Sequence, residues 1–141
     1  MTGSQFVAFT SAPGLADTKR AGFAQCVVAG GLVFVSGQTA INENWDVVAT
    51  DFGGQAHQVM ANLSRALEAA GSRLEDVVSM TAFFSHPGHV PEFGAIRKAA
   101  MGGAMCASTA ICGVSFVIPE LLLEVQATAV LRETRETRET I

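Results

Sequence analysis

The residue most out of place in this sequence is a carboxylate. Glu124 lies in "LLLEVQATAVL", residues 121–131, which reads as one buried strand with Glu124 and Gln126 in its middle. A buried, unpartnered carboxylate is costly or shifts its pKa until it is neutral, so a fold keeps one only with a partner or a use. Two readings stand. Half-buried in a cleft, Glu124 has a raised pKa and can act as a general base; tied to backbone or hydroxyl donors, it is structural. The other reactive side chains offer less. His57, His86 and His89 match no metal-ligand spacing and two of them flank the turn Pro87-Gly88, so no metal is expected. Cys26, Cys106 and Cys112 are odd in number and fit neither a disulfide framework nor a zinc knuckle. With no His close in sequence, Cys106 and Cys112 read as buried structural thiols rather than nucleophiles.

Several elements must position Glu124. "AQCVVAGGLVFVSGQ" is two apolar runs joined by Gly30-Gly31, which supplies the positive φ angles of a two-residue turn, so 24–29 and 32–37 form a hairpin. From the N-cap candidate Asp51, Ala56, Val59, Met60, Leu63, Leu67 and Ala70 recur at helical steps before the stop at Gly71. "DVVSMTAFF", residues 76–84, is a strand ended by "SHPGH". Pro91 opens a second helix whose inner stripe is Phe93, Ile96, Ala100 and Met101, ending at Gly102-Gly103. "STAICGVSFV" and "LLLEVQATAVL", separated by little more than Pro119-Glu120, are expected to pair as a closing hairpin. With "QFVAF" as the first strand, the order β-β-β-α-β-α-β-β gives an α+β domain over residues 1–131, with a mixed sheet and both helices on one face. Strands apolar on both faces would bury the uncovered face against another copy, so a homo-oligomer is expected.

Composition excludes some partners. The chain has 141 residues and a formal net charge of −4, with nine Lys and Arg scattered and three of them in the tail "RETRETRET", so phosphate-backbone binding is disfavoured. That tail, within 132–141, alternates charge without an apolar face and reads as a solvated, disordered extension. Charged residues interrupt every long apolar stretch and no basic segment leads an apolar block, so a cytoplasmic protein without membrane association is expected.

Three phrases, "AGFAQCVVAGGLVFVSGQTA", "QAHQVMANLSRALEAAGSRLEDVVSMTAFF" and "GVSFVIPELLLEVQATAV", in this order over roughly residues 13–131, resemble the RidA/YjgF family of imine/enamine deaminases. The resemblance implies a chorismate-mutase-like fold assembled as a homotrimer with a barrel-like core and interfacial clefts. It also implies a small-molecule substrate, no cofactor, and hydrolytic deamination in which Glu124 positions the attacking water. Ser36-Gly37-Gln38 matches the family's "SGQ", where Gly37 would let substrate approach the backbone. Phe23 stands where the family has a Tyr, keeping the ring and losing the hydroxyl.

The family's "PAR" arginine, which grips a substrate carboxylate through two parallel hydrogen bonds, is replaced within "CAST" by Ser108 or Thr109, depending on a one-residue gap. A neutral hydroxyl would forfeit on the order of 2–3 kcal/mol of that grip. Arg97, where the family often has an Asn facing the site, is either an exposed helix residue or a replacement cation. Cys112, beside the altered segment, is grouped with the substrate-lining residues. A different acid-base reaction in the same cleft (isomerisation, cyclisation or decarboxylation) and a non-catalytic trimeric ligand-binding or regulatory protein remain the alternatives.

Overall fold

The computed structural model describes residues 5–132. Eight elements follow in the expected order: β1 (Phe6–Phe9), β2 (Cys26–Ala29), β3 (Leu32–Gln38), α1 (Phe52–Ala69), β4 (Val77–Phe84), α2 (Val90–Ala100), β5 (Ala107–Cys112) and β6 (Leu123–Val130). They form one six-stranded sheet in the order β1-β2-β3-β6-β4-β5. Only β4–β5 is parallel, and α2 makes the crossover between them. The β2–β3 hairpin turns at Gly30-Gly31, both with positive φ (59° and 78°).

Helix α1 begins where its cap dictates: the Asp51 carboxylate accepts the Gly54 N–H at 2.9 Å. Its inner stripe, Ala56, Val59, Met60, Leu63, Ala66 and Leu67, is buried against the sheet. Burying a side chain such as Leu63 contributes about 2 kcal/mol, which is why this face fixes the helix orientation. In α2 the stripe is narrower than its spacing predicts. Phe93 and, just past the helix, Met101 are buried, whereas Ile96 is half-buried and Ala100 exposed.

Three sequence expectations need correction. First, β5 and β6 do not pair with each other. β6 inserts between β3 and β4, and β5 joins the far edge of β4, because a strand arriving through a helical crossover aligns parallel. The strand read in "STAICGVSFV" stops at Cys112, after which Gly113 adopts positive φ.

Second, β6 is not apolar on both faces. Leu123, Val125, Ala127 and Ala129 face the helices, while Glu124, Gln126, Thr128 and Val130 fall on the uncovered face by the two-residue alternation of a strand. Glu124 is thus half-buried and Gln126 exposed, and the carboxylate was never in the core.

Third, Cys112 is exposed, because it ends β5, an edge strand with all six residues exposed, and Cys106, just before that strand, is half-buried. Cys26, by contrast, is buried and its thiol donates to the Ala66 carbonyl at 3.5 Å. Of the expected tail, only Arg132 lies within the described residues. Its backbone N–H donates to Gly71 O, and its guanidinium stands 4.0 Å from the buried Asp76 carboxylate.

Candidate functional site

Between the 15–25 segment, the end of β3, the 39–45 loop and the 117–121 segment lies a cleft of about 310 Å³. Leu15, Phe23, Ile41, Trp45 and Leu121 make it largely apolar, and Glu124 is the only ionisable side chain that lines it among the described residues. β3 carries a bulge opposite this point. Val35 pairs with Ala127 and Gln38 with Val125, so Ser36 and Gly37 together oppose Gln126. The bulge brings the Gly37 backbone against Glu124. A Cβ on Gly37 would lie 2.8 Å from the Glu124 carboxyl carbon, closer than real Cβ atoms come. Any larger residue would push the Glu124 side chain aside, so glycine keeps the carboxylate against the bulge. Among the described residues no hydrogen-bond donor or cation reaches the Glu124 side chain. Burial therefore pushes its pKa above a glutamate's ordinary 4.5.

A set of buried amides holds the cleft walls. Gln38 donates to Gln25 Oε1 at 2.8 Å, and Gln25 donates to the Ala16 carbonyl at 2.8 Å, tying the 15–18 segment to the sheet. The Thr18 hydroxyl donates to Phe23 O at 2.6 Å, with Thr10 O the alternative acceptor at 3.1 Å, which ties Phe23 to the rim of the cleft. Gln55 on α1 donates to Ala49 O and Glu120 O and accepts from Leu122 N–H at 2.8 Å, clamping the chain just before Glu124. Asn62, a helical turn pair further along, donates to Thr39 O and Ile41 O, both at 2.9 Å. Each of these side chains is buried, so each bond is made in a low dielectric where an unmade one would cost about 1–3 kcal/mol. Apart from Gln38, they were not singled out in the sequence. The available signal was Gln55 and Asn62 falling on the apolar stripe of α1 beside Ala56, Val59 and Ala66.

The remaining sequence candidates separate. Phe23 and Gly37 meet Glu124 in the cleft. Ser36 stands beside them, but its hydroxyl is committed to Ala24 O at 2.6 Å. Thr109 pairs with Thr81, which pairs with Gln126, so it shares the uncovered sheet face with Glu124, on the edge strand. Ser108, one residue earlier, points to the helix side, as does Cys112, in the rows of Met80 and Phe84. There Arg97 of α2 donates to the Ser108 hydroxyl at 2.7 Å, with its guanidinium 5.3 Å from the Phe93 ring centroid. Arg97 therefore occupies the neighbourhood of the altered "CAST" segment rather than open solvent. With Lys98 and Cys106 it lines a second pocket of about 410 Å³. Burial raises the Cys106 thiol pKa and the Arg97 charge pulls it back down. His86 and His89 sit at the start of α2, where His89 stacks on Phe52 at 4.3 Å, and neither lines the cleft.

Known proteins share this architecture. The endoribonuclease L-PSP family profile matches residues 15–131. A RutC family protein of Pyrococcus horikoshii is 29% identical over 108 residues, covering 76% of this chain and 85% of that protein. A Salmonella typhimurium protein named 2-iminobutanoate/2-iminopropanoate deaminase is 36% identical over 61 residues, 43% of this chain and 48% of its own length. Among solved structures, an Entamoeba histolytica protein described by the same endoribonuclease L-PSP name superposes with a TM-score of 0.83 at 25% identity, covering 89% of this chain and 99% of that one. No helix among the described residues is long and apolar enough to cross a membrane. The matched span takes in both the Gly37 bulge and Glu124, and the chain belongs to the endoribonuclease L-PSP family, the RidA/YjgF family.

Proposed function

We propose that this protein hydrolyses an imine or enamine intermediate to the carbonyl compound and ammonia, with Glu124 moving the protons. The observation that carries the reading is a half-buried carboxylate, free of donors among the described residues and raised in pKa, at the Gly37 bulge in an apolar cleft. Such a group holds or releases a proton near neutral pH more readily than a solvated glutamate. In the hydrolysis, the water oxygen bonds to the imine carbon as Glu124 takes a water proton. The C=N electron pair moves to nitrogen, which is protonated from solvent. In the collapse of the resulting carbinolamine its O–H proton returns to solvent, the C=O bond forms as the C–N bond breaks, and the proton held by Glu124 leaves with ammonia, which restores the carboxylate. For an enamine, protonated Glu124 first delivers its proton to the β-carbon as the nitrogen lone pair forms the C=N bond; the resulting iminium loses an N–H proton to solvent to give the imine, and Glu124 is left ionised to accept the water proton.

The site is completed by a second copy of the chain. Within one chain Glu124 and Arg97 are on opposite sheet faces, and β6 and β5 are two strands apart, about 10 Å at ordinary strand spacing. The exposed β5 edge and the uncovered sheet face are surfaces on which copies can pack, and a homotrimer would bring Arg97 and Ser108 of one copy toward the cleft of the next. Arg97 would then grip the substrate's carboxylate in place of the missing arginine. The deaminase name of distant relatives supports the same chemistry. The net charge of −4 and a cleft without a lining cation speak against an RNA substrate.

The test uses imines formed in situ from serine or threonine by a dehydratase, following keto-acid release. The wild type should exceed the buffer rate, and Glu124→Gln should fall by about 10²–10⁴-fold. A wild-type rate equal to buffer would remove the deaminase reading, and equal rates for the two proteins would make Glu124 structural.

A further inference from the structure

We infer that Trp45 forms a subsite for a branched or aromatic apolar substituent on the substrate, so that this cleft selects large side chains over methyl or ethyl. The inference rests on the cleft being the substrate site proposed above. Trp45 lines the cleft yet is 46% exposed, at its mouth. Its backbone is left-handed, with φ 67°, a region that a bulky side chain rarely enters and that glycine would fill without strain.

The loop around it over-determines that conformation. Ile41 bridges Val47, Asn42 N–H donates to Asp46 O at 2.9 Å, and Trp45 N–H donates to Asn42 O at 3.0 Å. The Asn42 side-chain oxygen accepts from both Asn44 and Asp46 N–H, at 2.9 and 3.0 Å. Four hydrogen bonds thus hold an indole where the backbone alone would favour glycine, and strain maintained in this way is found at ligand clamps.

The rest of the cavity agrees in chemistry. Ile41, Leu15, Leu121 and Phe23 share the wall with Trp45, and Glu124 is the only ionisable side chain that lines it among the described residues. A volume of about 310 Å³ would be largely unfilled by a substrate bearing only a methyl or ethyl group, whereas an isobutyl or benzyl group would remove Trp45 and its neighbours from water. Each added methylene in such a pocket is worth roughly tenfold or more in discrimination.

The chain contains one tryptophan and no tyrosine, so its ultraviolet emission reports on Trp45 alone. The full chain would be titrated with 4-methyl-2-oxopentanoate and with pyruvate, stable carbonyl analogues of the two substrate sizes, following emission and, for variants lacking the indole, heat of binding. The expected result is a quench or shift with the larger keto acid and a Kd at least tenfold below that for pyruvate. Trp45→Phe should keep the preference. Trp45→Gly should melt at a higher temperature and lose the preference to within about twofold. Equal binding of the two keto acids, absence of binding by both, unchanged emission, or a preference retained in a folded Trp45→Gly would each overturn the inference. Because binding of a keto acid needs no turnover, a protein that discriminates yet releases no keto acid would refute the deaminase reading and leave this subsite standing.

Discussion

The cleft at Glu124 and the pocket at Arg97 are built in opposite ways. The first is apolar, contains one carboxylate, and is held by buried amides from Gln25 just before β2, from β3 and from α1. The second is basic, opens on a segment containing Gly102 and Gly103, and borders an edge strand whose residues are all exposed. The walls of the first are tied together by hydrogen bonds within a single chain. The other carries a cation, Arg97, held among the described residues by a surface hydroxyl and an aromatic face. Within one chain, then, the carboxylate and the Arg97 pocket are supplied by different parts of the fold, on opposite faces of the sheet.

The amide-held cleft should show the largest loss. Gln55→Ala leaves Ala49 O, Glu120 O and Leu122 N–H without their partner, and should cost about 3 kcal/mol of stability in a denaturant titration. An unchanged midpoint would mean that the amides do not hold the cleft. Next, Gly37→Ala forces the Glu124 carboxyl away from the bulge, and a displacement of that size should lower kcat about 100-fold with little change in KM. On the basic side, Arg97→Ala should raise KM for a carboxylate-bearing substrate roughly tenfold and leave kcat and stability nearly unchanged. A loss in kcat with KM intact would place Arg97 at the reacting atoms instead. The smallest effect is on stability against pH. Because the folded pKa of Glu124 is raised, the folded state holds its proton more tightly than the unfolded chain, and the burden of the charged form grows as pH rises above 4.5. Glu124→Gln should therefore melt slightly above the wild type at neutral pH and at the same temperature near pH 4.

What was legible in the sequence was local. The Asp51 cap, the α1 stripe and the Gly30-Gly31 turn depend on residues within a few positions of one another, and each is found where its pattern placed it. The pairing of β5 was not legible, because adjacency in sequence favours a hairpin while a helical crossover sends the strand to the sheet edge. In β6 the small residues Ala127 and Ala129 hid a strict alternation behind an apparently continuous apolar run, which moved Glu124 from the core to the open face. Within the candidate site, Glu124 and Gly37 announced themselves by type and context. Gln25, Gln55 and Asn62 did not, since a glutamine looks the same whether it is solvated or clamps three backbone groups.

Proton transfer by Glu124 requires a desolvated carboxyl, and titrating that carboxyl carbon directly by NMR in the folded protein is the simplest test. The midpoint should lie above 4.5 and match the acid limb of the kcat/KM profile for imine hydrolysis. A midpoint at or below 4.5 would show a solvated or donor-held carboxylate and contradict its role as the proton carrier.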